Sequence, residues 1–242
     1  MNQASAPGQR AASPRAAVAP TGPKGTALFE LDDVHLDYRG HRILEGLSLR
    51  LHPGERVAVV GKSGAGKSTL LRHLRQLQSQ QVAWCPQQSG LVPMLSVYHN
   101  IFMGALQRHH SLYNLLNLIR PLSTPLSEVR DLARQLGLEN QLFTSVDQLS
   151  GGQQQRTAIG RALYQQRPVL LADEPVSALD SYQGQQLLQL LVERHQTLVL
   201  ALHDTNQALQ FCDRVIGLRE GQLVLDAPAS QLSQSELRFL YR

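Results

Sequence analysis

Aromatic residues are scarce: Phe, Trp and Tyr make up 5% of the 242 positions, while hydrophobic residues reach 42%. The core must therefore be aliphatic, and Leu-rich runs supply it. Cysteine is nearly absent. Cys85 and Cys212 stand far apart, which excludes a disulfide framework and any CxxC metal pair. Two isolated thiols suit a reduced, cytosolic setting. No stretch reaches the roughly 18 consecutive apolar residues that mark a bilayer span, and no apolar run near Met1 reads as a signal peptide. If the chain works at a membrane, a partner must hold it there. Basic clustering is missing too. The net charge is +4, yet Arg10, Arg15 and Lys24 supply three of those charges from a stretch without acids. The remainder is nearly neutral, so no counterion-releasing grip on nucleic acid is expected.

Residues 1–26 are rich in Ala, Pro, Gly and Ser, with little to bury, and are expected to be a disordered tail. From Leu28 the pattern is strand-like. Val34, Leu36 and Tyr38 alternate with polar residues, Arg39-Gly40 turns the chain, and Leu47, Leu49 and Leu51 alternate again. Three short solid apolar runs follow: Val57–Val60, Val169–Ala172 and Leu198–Ala201. Alternation followed by solid apolarity predicts an antiparallel edge sheet and then a parallel sheet buried on both faces. Helical patterns lie between the runs, with Leu70, Leu71, Leu74 and Leu77 on one face and Leu187, Leu188, Leu190 and Leu191 on another. The fold class is therefore α/β. Ser96 to Leu149 has helical periodicity and no strong strand; Pro121 and Pro125 break it, and Gly137 suits a helix stop. A helical lobe, roughly residues 96–165, inserted in a single domain over 27–242 is the reading. Strands near Arg214–Leu218 and Gln222–Asp226 and a helix from Ser233 complete the chain.

Gly61-Lys62-Ser63-Gly64-Ala65-Gly66-Lys67-Ser68 follows the first solid strand and opens a helix, with Thr69 next. This is GxxxxGK[ST] in its required context. Glycines let the backbone curl so that its N–H groups point at phosphate oxygens, and a helix N-terminus adds partial positive charge. Lys67 would reach the β- and γ-phosphates of ATP, and Ser68 would ligate Mg²⁺. Val169–Ala172 runs into Asp173-Glu174. An unpaired acid at the end of a buried strand is costly, so Asp173 is assigned to the metal through water. Glu174, one residue farther out, is the candidate general base.

Leu149-Ser150-Gly151-Gly152-Gln153 then resembles the signature sequence of ABC-type ATPases. Ser150, Gly151, Gly152 and Gln153 would form a second phosphate cradle at a helix start. The resemblance spans about residues 28–242 and six ordered motifs. It implies the P-loop core with N-terminal antiparallel strands and an inserted helical subdomain. It implies a head-to-tail dimer holding each ATP between one phosphate loop and the partner's signature. By the same resemblance Tyr38 stacks on adenine, Gln87 senses Mg²⁺ and the attacking water, and His203 contacts the γ-phosphate. Asp180, ending Ser177-Ala178-Leu179-Asp180, lies in the loop that crosses the dimer interface. The implied activity is ATP hydrolysis coupled to membrane transport. The implied partners are permease subunits, which residues 87–120 would face and from which they would receive a coupling helix, and an external solute-binding protein, with no nucleic acid. The implied place is the cytoplasmic face of the inner membrane. Gln148–Arg156, Ala162–Pro175 and Ala201–Asp204 are most similar to phosphonate importers.

One departure stands out: only 18 residues separate Ser68 from Gln87, so the accessory sheet should be trimmed. On chemistry alone, Tyr38 could be a plain strand aromatic and His203 a structural histidine. His109-His110 reads as a solvated pair, Trp84 and Cys85 as packing residues, and Arg156 and Arg161 as packing and ion-pair residues. The rivals are a soluble ABC ATPase of DNA repair or translation, an ABC transporter of another substrate, a P-loop kinase and a non-hydrolysing ATP-binding module. The first rival usually carries two ATPase units or coiled-coil arms, and a kinase needs no signature sequence.

Overall fold

The structure, a computed structural model, describes residues 26–38 and 40–241. The expected tail therefore lies outside the described residues except for Thr26, as does Arg39 of the first turn. Strands β1 (Phe29–Tyr38) and β2 (His41–Leu51) pair antiparallel as a separate two-stranded sheet. Leu31 and Leu36 both face inward although five residues apart. Strict alternation would put them on opposite faces. The register slips between Leu31 and Leu36, where Asp33 takes a left-handed φ of 49°, and the slip restores the inward face.

The second sheet has β3 (Arg56–Val60), β4 (Val82–Cys85), β5 (Val169–Asp173), β6 (Thr197–Ala201), β7 (Arg214–Arg219) and β8 (Gln222–Pro228). Their order is β4-β5-β6-β3-β7-β8, with β8 antiparallel at the edge and the others parallel. The pleat sends successive side chains to opposite faces, so each solid apolar strand serves two cores. Val57 and Val59 face the hairpin and the helix α1 (Lys67–Leu77), whereas Ala58 and Val60 face the other helices. β3 is central, and its end is where the phosphate loop begins. Buried Leu70, Leu71 and Leu74 seat α1; Leu77, expected on the same stripe, is 47% exposed at the helix end.

After α1 a four-residue turn leads directly into β4, which pairs with β5 at the sheet edge. Among the described residues the accessory sheet is thus the β1–β2 hairpin alone. Residues 96–165 form α2 (Val97–Phe102), α3 (Ser111–Ile119), α4 (Ser123–Gln135), α5 (Gly151–Leu163) and short 3₁₀ turns. Pro125 does not break this segment. It occupies the first turn of α4, where its missing N–H costs no intrahelical bond. Gly137 ends α4 as expected: at φ 64° it lets Leu138 N–H reach Ala133 O at 2.7 Å and its own N–H reach Arg134 O at 3.0 Å. The remaining helices are α6 (Ser181–Arg194), α7 (Thr205–Phe211) and α8 (Gln234–Leu237). Among the described residues no helix is long and apolar enough to cross a membrane.

Candidate active site

The loop after β3 is shaped by glycine. Gly61 has φ 148°, and a Cβ there would lie 2.2 Å from the Leu218 carbonyl oxygen; Gly66, φ 104°, would drive a Cβ to 2.5 Å from Leu44. Neither position admits a side chain. The Ala65 N–H closes a turn onto the Lys62 carbonyl at 3.1 Å, and Gly66 caps α1. Lys62, Ser63 and Gly64 are exposed at the loop tip, and Ser68 and Thr69 are half-buried in the first turn. Lys67 is only 4% exposed. Its Nζ donates to the Gly61 carbonyl at 2.8 Å and to the Lys62 carbonyl at 3.1 Å, so the ammonium lies under the loop. Burial pulls its pKa down, opposed by the charges of Glu174 and Asp173.

Asp173 ends β5 and is 2% exposed. Burial raises its pKa; a hydrogen bond from Ser68 works the other way. Its Oδ1 is buried without a partner. Glu174 leaves the strand with a left-handed φ of 53°, unusual for a residue with a side chain. Its N–H still donates to the Ala201 carbonyl at 3.1 Å. The turn swings its carboxylate between two residues distant in sequence. Gln87 Nε2 donates to Oε2 at 3.0 Å, and His203 Nε2 lies 2.5 Å from Oε1. A cleft of ≈ 140 Å³ opens beside Glu174 and His203. Gln87, Glu174 and His203 thus converge, with Gln87 bound to the candidate base itself.

Ser150 and Gln153 form a reciprocal cap at the start of α5. Gln153 N–H donates to Ser150 Oγ at 3.3 Å and Ser150 N–H to Gln153 Oε1 at 2.9 Å. Gly151 is exposed and a Cβ there would meet nothing within 4 Å, so packing does not explain the glycine. A Cβ on Gly152 would touch Leu179 at 3.0 Å. Asp180 caps α6 by accepting from Gln183 N–H at 2.8 Å. Tyr38 is 42% exposed at the hairpin end, with the Arg72 guanidinium 5.0 Å from its ring centroid.

Comparison with known proteins agrees with this geometry. The family model described as "ABC transporter" matches residues 44–81 and 73–177. The Phosphonates import ATP-binding protein PhnC of Pseudomonas putida is 40% identical, covering 83% of this chain and 84% of that protein. Its namesake from Frankia casuarinae is 39% identical, covering 82% and 90%. The chain belongs to the ABC transporter ATP-binding cassettes. It is an ATP-binding and ATP-hydrolysing subunit of an ABC transporter. Among solved structures, the dimeric form of a bacterial ABC transporter cassette superposes with a TM-score of 0.71 at 28% identity, covering 83% of this chain and 98% of that one. A post-hydrolysis dimer bound to ADP and Pi gives 0.70 at the same identity and coverage.

In this cassette two residues join the site that sequence reasoning passed over. Gln155, inside α5, donates from Nε2 to the Glu174 carbonyl at 2.7 Å and accepts from the Ala178 N–H at 2.8 Å. It pins both sides of the turn after Glu174. Its only signal was a place one helical turn beyond Gly151, on the same face. Tyr241 donates its hydroxyl to the His203 carbonyl at 3.0 Å, and nothing in the sequence pattern marked it. Arg156 and Arg161 differ from expectation: both bind backbone carbonyls rather than acids. Arg156 reaches Leu136 at 2.9 Å, and Arg161 holds Gly90 at 2.9 Å and also Ser89, just past Gln87. His109 is not simply solvated, for its ring stacks on Tyr113 at 4.6 Å.

Proposed function

We propose that this cassette powers the import of a phosphonate or a related small anion. It would act as a homodimer, or paired with a second ATPase subunit, at the cytoplasmic membrane face, beneath permease subunits fed by an external solute-binding protein. The substrate class rests on the relatives named as phosphonates import proteins. The catalytic reading rests chiefly on one observation, the Glu174 carboxylate held between Gln87 and His203 beside Lys67 and Asp173. Residues 27–242 act as one ATPase domain, with 96–165 as a helical subdomain. Gly61–Thr69 cradle the phosphates, and Tyr38 stacks on adenine.

Mg²⁺ fits the donor set, since Asp173 Oδ1 is a buried oxygen with no partner and Ser68 stands beside it. Ser68 would hold it directly, and Asp173 and Gln87 would hold it through water. Bound there, it would neutralise developing phosphate charge. Glu174 accepts the proton of the attacking water. His203, one hydrogen bond away, steadies that carboxylate and reaches toward the γ-phosphate. The exposed Gly151 amide at the start of α5 faces the partner's nucleotide, with Ser150, Gly152, Gln153 and Asp180 around it. Residues 87–120 meet the permease.

The substrate proposal is tested with cassette, permease and binding protein reconstituted in vesicles. Phosphonate-loaded binding protein should raise ATP turnover severalfold over unloaded protein. Stimulation by another solute class, with none by phosphonates or phosphate, would overturn the substrate while leaving the ATPase in place.

A further inference from the structure

The 3₁₀ turn Arg238–Tyr241 packs on the sheet beside the phosphate loop. Its anchors are Leu237 and Leu240, 0% and 1% exposed. Leu240 lies so close to β7 that a Cβ on Gly217 would come within 2.8 Å of it. The Ser233–Glu236 capping box fixes the start of α8 just before. This anchoring delivers the Tyr241 hydroxyl to two backbones at once. It donates to the His203 carbonyl at 3.0 Å, and it lies against the Gly61 backbone, whose N–H works to lower the phenol's pKa. Gly61 is the first residue of the phosphate loop, and its carbonyl takes the Lys67 ammonium at 2.8 Å. His203 in turn carries the imidazole 2.5 Å from Glu174. One hydroxyl therefore closes a chain of contacts from Lys67 through Gly61 and His203 to Glu174. Burial raises the phenol's pKa, so it stays a neutral donor at physiological pH.

We propose that Tyr241 is a positioning residue for ATP hydrolysis, its hydroxyl locking the His203 loop to the first peptide of the phosphate loop. The proposal rests on the reading of His203 as a γ-phosphate contact. Nucleotide entering the loop must draw Lys67 from the Gly61 carbonyl, and through Tyr241 that rearrangement reaches His203. A phenylalanine keeps the packing on Leu240 and β7 but removes the bridge.

The test uses full-length chains: wild type, Tyr241→Phe, His203→Ala and the double variant, each assayed for kcat, KM for ATP and melting temperature. Loss of one such hydrogen bond should lower kcat by about 5-fold in Tyr241→Phe, with KM and melting temperature near wild type. In the His203→Ala background the same change should have no further effect, because the two act as a unit. Wild-type kcat in Tyr241→Phe would overturn the proposal. So would losses that multiply in the double variant, or a kcat loss matched by a fall in melting temperature. Full turnover in His203→Ala would instead remove the His203 reading on which the proposal stands.

Discussion

Glu174 combines three features that meet at no other described residue: a left-handed backbone, a half-buried carboxylate and two side-chain partners from remote elements. A left-handed non-glycine residue costs on the order of 1–3 kcal/mol. The Ala201 carbonyl and the Gln155 amide hold it there. The consequence is a carboxylate aimed by backbone geometry, with Gln87 and His203 setting its reach. Glu174→Gln preserves shape and removes basicity, so ATP binding should persist while turnover falls by ~10²-fold or more. Steady-state phosphate release and nucleotide titration measure the two separately. Cys85 and Cys212 behave differently from surface thiols, since burial pushes each up to about 12. Native protein at pH 8 should leave both unreactive toward a disulfide reagent, and denaturant should expose two thiols. Folding favours the protonated thiols, so their contribution is complete below the unfolded thiol's pKa and is lost as pH rises toward 12. A melting curve that weakens above about pH 9 is the matching observation.

At the element scale, the apolar strand Val57–Val60, the glycine loop and the amphipathic α1 are consecutive in sequence, so local pattern and turn chemistry sufficed to read them. The same holds for the α4 stop at Gly137, where the φ of 64° needs glycine and a Cβ would press within 2.9 Å of Arg156 Nη1. Gly137→Ala should destabilise the protein by about 1 kcal/mol or somewhat more, seen as a lower denaturant midpoint. Pro125 misled because proline breaks a helix interior yet is tolerated in the first turn. Convergence was harder to read. Gln87 reaches Glu174 from 87 residues away, and only the β4–β5–β6 strand order brings Gln87, Glu174 and His203 to one edge of the loop. The motif resemblance supplied that grouping; periodicity could not. Gln155 and Tyr241 were missed because both act on backbone atoms, and a side chain seeking a carbonyl or amide leaves no mark in residue type.

At the scale of the whole molecule, the six-stranded sheet keeps two cores apart and places the phosphate loop, Gln87, Glu174 and His203 just past the ends of its strands. The signature turn differs: it sits at the start of α5 beside Leu179, with Gly151 open to solvent. That exposure is what a second copy would use, and the dimeric cassette among the solved structures has the same fold over 83% of this chain. In the proposed dimer each ATP is gripped in trans. Mixing two inactive chains tests it most directly. Lys67→Ala loses its phosphate loop but keeps its signature, and Ser150→Arg does the reverse. Each alone should be nearly silent in ATP hydrolysis, and the mixture should regain turnover well above their sum, because the heterodimer contains one intact composite site. A mixture as silent as its components, with both chains folded and able to associate, would rule out a grip in trans.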